Sequence, residues 1–88
     1  MTRAVIRLRE DISSLIPLME RRIAGFARNP MEPEGSFRYK NWPVVVESRQ
    51  VTVVAVMNEA PAKEVIAFLE TVLRSGDRTD DKVNPYQV

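Results

Sequence analysis

Eighty-eight residues suffice for one domain with a single thin core, and are too few for a deep catalytic cleft. The chain has no cysteine and no histidine, which removes disulfides, thiol chemistry, thiolate zinc sites and the commonest general base. Its 13 basic and 12 acidic side chains leave a net charge of +1, too little to draw the whole molecule to nucleic acid.

The N-terminal stretch is interrupted by Arg3, Arg7 and Arg9, so it lacks the apolar centre of a signal peptide. No apolar run approaches the roughly 20 residues that a membrane span needs. The expectation is a cytoplasmic protein without membrane contact, metal or cofactor.

Residues 2–9 alternate strictly. Ala4, Ile6 and Leu8 fall on one face and Arg3, Val5, Arg7 and Arg9 on the other, the period of a half-buried strand. From Asp11 to Ala27 the spacing becomes helical: Ile12, Leu15, Ile16, Met19, Ile23, Phe26 and Ala27 form one stripe. Ser13 or Ser14 is the expected N-cap and Pro17 fits only the first turn. Asn29-Pro30 ends the helix, and residues 29–36, with two prolines and a glycine, read as a loop.

Residues 37–57 are the organising stretch, a hairpin of β-branched and aromatic residues about Glu47-Ser48-Arg49-Gln50. A two-residue turn at Ser48-Arg49 sets Val46 opposite Val51 and Val44 opposite Val53. The first arm has a parity conflict. Phe37 and Tyr39 are odd-numbered and Val44 and Val46 even-numbered, yet all four belong in one core. Asn41-Trp42-Pro43 is where the alternation must slip, and proline there predicts a bulge. A second helix opens at Asn58-Glu59-Ala60-Pro61, carries Ala62, Val65, Ile66, Leu69, Val72 and Leu73 on its apolar stripe, and ends near Ser75 before Gly76.

The predicted order is β-α-β-β-α. This is an α+β two-layer sandwich, an incomplete ferredoxin-like unit, with a three-stranded antiparallel sheet and two helices on one face. Residues 1–76 form the domain and 77–88 a flexible tail.

No catalytic motif is present, and no spacing forces two carboxylates together, so the chain reads as a binding protein and not an enzyme. The uncovered sheet face is the informative surface. It carries Arg3, Val5, Arg7, Arg9, Arg38, Lys40, Val45, Val54 and Val56, and Trp42 joins it if the bulge turns that side chain outward.

The plain reading is that the arginines are solvated charges guarding an edge. The leading functional reading is a protein-interaction or assembly module. Val5, Val45, Val54, Val56 and Trp42 would form the interface and the first strand an open edge, with a homodimer or another protein as partner. The alternative is an RNA-binding module using Arg3, Arg7, Arg9, Arg38 and Lys40 against phosphates.

Overall fold

The computed structural model describes residues 2–55, 60–74 and 83–85. Strand β1 (Thr2–Arg7) leads through a 3-10 turn (Ser13–Leu15) into helix α1 (Ile16–Arg22). Four strands follow, β2 (Ala27–Asn29), β3 (Glu34–Tyr39), β4 (Trp42–Glu47) and β5 (Gln50–Ala55), and then helix α2 (Ala60–Arg74). They form a five-stranded antiparallel sheet in the order β1-β5-β4-β3-β2.

The α+β class stands, but the three-stranded, incomplete ferredoxin-like sheet does not. Two physical facts overturn it. The first is that the expected arm from Phe37 to Val46 is itself a hairpin. A two-residue turn at Lys40-Asn41 sets Tyr39 opposite Trp42 and Phe37 opposite Val44. That turn changes the parity, so no bulge is needed. Lys40 accepts a left-handed backbone there, with φ 54°, which costs an L-residue about 1–2 kcal/mol.

The second fact is that α1 is short. Ile23 is already extended at φ −108°, ψ 122°, and Gly25 turns the chain at φ 79°. Ala27–Asn29 then pair with Glu34–Ser36 as an edge hairpin, where a helix end and a loop were expected.

The second turn follows the expected register, with Val46 opposite Val51 and Val44 opposite Val53. Two apolar rows therefore cross the sheet on its helix side. One runs Ala4, Val53, Val44, Phe37; the other runs Ile6, Val51, Val46, Gly35. Helix α1 covers the β2–β3 end with Ile16 and Met19, and Ile23 just beyond it is also buried. Helix α2 covers β5 and β1 with Val65, Phe68, Leu69 and Val72 in the core. Each fully buried valine or leucine contributes about 1.5–3 kcal/mol relative to exposure.

Arg22 ties the helices together. Its Nη1 donates to the carbonyls of Val72 and Leu73 in the last turn of α2, both at 3.1 Å, as basic side chains do at helix C-termini. Within the C-terminal segment, Val83 bridges Ile23 in parallel and Pro85 is fully buried. Residues 77–82 and 86–88 lie outside the described residues.

Gly35 is required by Phe26. A Cβ at Gly35 would meet the Phe26 ring at 2.3 Å, and that ring is stacked on Phe37 with centroids 5.8 Å apart. Gly35→Ala should therefore cost about 1–3 kcal/mol, the usual penalty of overpacking. Chemical denaturation of Gly35→Ala, Phe26→Leu and the double variant checks this. The two changes should be strongly non-additive, because the smaller side chain makes room for the new methyl.

Candidate interaction surface

The outward face of the sheet is banded along the strand direction. Across its middle run Val5, Thr52, Val45, Ser36 and Ala27. Toward one end lie Arg3 opposite Val54 and Arg38 opposite Pro43. Toward the other lie Arg7, Gln50, Glu47, Glu34 and Asn29. This face is not uniformly basic: its far end carries two carboxylates that the pattern of arginines alone did not reveal.

Of the expected interface residues, Val5, Val45 and Val54 share this face, but only Val5 is openly exposed, at 48%. Val45 and Val54 are half-buried, and Thr52 between Val5 and Val45 is 9% exposed. Long neighbouring side chains cover the middle of a sheet in this way, so the apolar strip is narrower than its residue list. Val56 lies outside the described residues.

Trp42 and Lys40 belong to the other face, a correction that follows from the Lys40-Asn41 turn. Trp42 pairs with Tyr39, and their rings stack at 6.1 Å on the helix side. The Lys40 ammonium reaches Glu64 on α2 and lies 5.6 Å from the Tyr39 centroid and 5.8 Å from that of Trp42. Arg3, Arg7 and Arg38 remain on the open face, while Arg9 lies exposed beyond the end of β1. The five expected phosphate ligands are thus not brought together.

The edge of β1 is the second element of the surface. The Leu8 amide donates to the Arg49 carbonyl at 2.8 Å, in the same register as the β1–β5 ladder. Antiparallel bonding alternates, so Ile6 and Ala4 bond to β5 and the backbone groups of Arg3, Val5 and Arg7 turn to the free edge. Beside that edge runs a groove of about 500 Å³ between β1 and α2. Ala4 and Ile6 form one wall and Ala62, Ile66 and Ala67 the other, with Arg3 and Val5 from the strand and the exposed Lys63 and Glu70 from the helix completing its lining. Sequence reasoning identified the open edge but not the groove. Ile66 sits on the expected apolar stripe, and nothing in the spacing shows that this end of the stripe overhangs an edge strand.

Among the described residues no group of three or more acidic side chains is placed to hold a metal ion, and no helix is long and apolar enough to cross a membrane.

The Tyr39–Lys40–Glu64 cluster has the clearest electrostatics. Burial raises the Tyr39 phenol above its ordinary 10.0, aided by the charge of Glu64, whose Oε1 accepts from the phenol at 3.4 Å. The hydrogen bond to Glu64 likewise raises Lys40 above 10.5. Both groups hold their protons more tightly folded than unfolded. The stability this supplies is complete below pH 10.0 and is lost as pH climbs through the folded values. The phenolate absorbance difference between the protein and Tyr39→Phe should titrate above 10.0, and Glu64→Gln should move that midpoint down.

The same cluster offsets the left-handed backbone of Lys40. An ion pair between two solvent-accessible side chains is weak, so the backbone cost is the larger quantity. Lys40→Gly should be near neutral in thermal melts. Lys40→Ala, which keeps the strain and loses the pair, should be less stable than Lys40→Gly by about 1 kcal/mol.

Comparison with protein-family models, with curated proteins and with solved structures finds no match.

Proposed function

We propose that this domain is a small, non-catalytic protein-interaction module that receives an extended chain along the free edge of β1. The carrying observation is the juxtaposition of backbone groups at Arg3, Val5 and Arg7, unpaired among the described residues, with the apolar groove under α2. An edge strand is a template for another strand: backbone bonds supply affinity, and pockets for alternate side chains supply selectivity. The one openly exposed strand valine, Val5, sits at the middle of that edge.

Nucleic-acid binding draws less support. The face shared by Arg3, Arg7 and Arg38 also holds Glu34 and Glu47, and Trp42 lies on the helix side where it cannot stack a base over that face.

The discriminating variant is Val5→Pro. Its backbone amide faces outward, so proline removes a docking donor and no bond of the β1–β5 ladder, a change that edge strands tolerate. The protein is screened against a displayed library of random decapeptides and against mixed-sequence RNA and DNA at two salt concentrations. Peptides should be selected, and Val5→Pro should abolish their binding while leaving a cooperative melt. Oligonucleotide binding with a log–log salt slope of about −0.7 per phosphate contact would overturn the proposal. So would peptide binding indifferent to Val5→Pro.

A further inference from the structure

The chemistry of the incoming strand can be read from what faces it. Side chains of strand residues opposite one another share a face. A strand docked antiparallel to β1 places three residues opposite Arg3, Val5 and Arg7 on the open face. Its two intervening residues point to the helix side, over Ala4, Ile6, Ala62 and Ile66. Among the described residues no ion pair engages Arg3 or Arg7. The exposed Lys63 and Glu70 of the groove carry opposite signs and offset each other, which leaves Arg3 as the remaining charge of its lining. Selection by charge therefore falls to the two arginines.

We infer that the occupant is a segment of a different protein with the alternation acidic, apolar, any, apolar, acidic. The acidic residues stand four apart, opposite Arg3 and Arg7, and the two apolar residues enter the groove. This deepens the edge-docking reading and rests on it.

A second copy of this chain fits the same edge less well. The symmetric register that uses all three outward positions pairs Val5 with itself and sets Arg3 against Arg7 of the partner copy. Directly opposed like charges destabilise a strand pair. The apolar alternation of β1 suits its own groove, but its flanking charges have the wrong sign. The complement of β1 is its own pattern with the arginines replaced by carboxylates.

Blocked synthetic peptides with a central glutamate–valine–threonine–valine–glutamate core test this by calorimetry. The comparison peptides carry lysine or glutamine in place of the glutamates, or exchange the glutamates with the valines. The glutamate peptide should bind tightest and weaken with salt. Binding should slow hydrogen exchange at the amides of Val5 and Arg7. Arg3→Glu/Arg7→Glu, verified as folded by its melt, should weaken that peptide on the order of tenfold, as two exposed ion pairs are lost, and should favour the lysine peptide.

Equal binding of the lysine or glutamine peptide, still abolished by Val5→Pro, would overturn the acidic chemistry while leaving edge docking intact. Failure of every peptide to bind would overturn both. Reversible dimerisation of the protein alone, lost in Val5→Pro, would identify a second copy as the occupant and overturn the acidic one.

Discussion

The structure depends on a parity constraint at two tight turns. A two-residue hairpin turn pairs an odd-numbered residue with an even-numbered one, so each turn exchanges which parity faces the helices. Lys40-Asn41 does this between β3 and β4, and Ser48-Arg49 does it again between β4 and β5. Only with both in place do Phe37, Val44 and Val53 lie in one row and Val46 and Val51 in the next. A slip of one residue at either turn would carry several buried valines to the solvent face at about 1.5–3 kcal/mol each. The helices have no other apolar surface of comparable extent to pack on, so their docking inherits the register of the turns.

The same register sorts the charges. Arginines that alternate along β1 fall on the open face at one edge of the sheet, and the carboxylates of β3 and β4 fall on the same face across β5, in the row that Arg7 begins. Net charge conceals this separation. A molecule with a net charge of +1 still presents a basic edge flanked by an apolar groove. The arginines have two consequences at once. They discourage β1 from pairing with copies of itself, and under the proposed edge docking they favour an incoming chain of opposite charge.

Much of the framework was legible in the sequence. The alternation of residues 2–9 located β1, the valine runs gave the register about Ser48-Arg49, and the helical stripe from Ala62 to Leu73 located α2. The turn at Lys40-Asn41 was hidden because it uses lysine, and not glycine, in the left-handed position. What offsets that choice is a contact with Glu64, twenty-four residues away, which no local pattern records. Strand β2 was hidden because Phe26 and Ala27 continue the helical spacing of α1, while Gly35 reads as a loop residue until Phe26 is seen lying where its side chain would be. Of the candidate site, the edge was visible and the placement of Trp42 and Lys40 was not, since both depend on that hidden turn.

The pairing of β1 with β5 also orders events during synthesis. Strands β2 to β5 meet neighbours that follow directly in the chain, whereas β1 must wait for the last strand to be made. At ordinary translation rates that interval is roughly two to ten seconds. Throughout it the nascent chain carries an alternating apolar segment with nothing to pair with, the kind of stretch that recruits neighbouring polypeptides on a crowded polysome. Arg3 and Arg7 already flank its centre at that stage, and their like charges disfavour pairing of the newborn strand with its siblings.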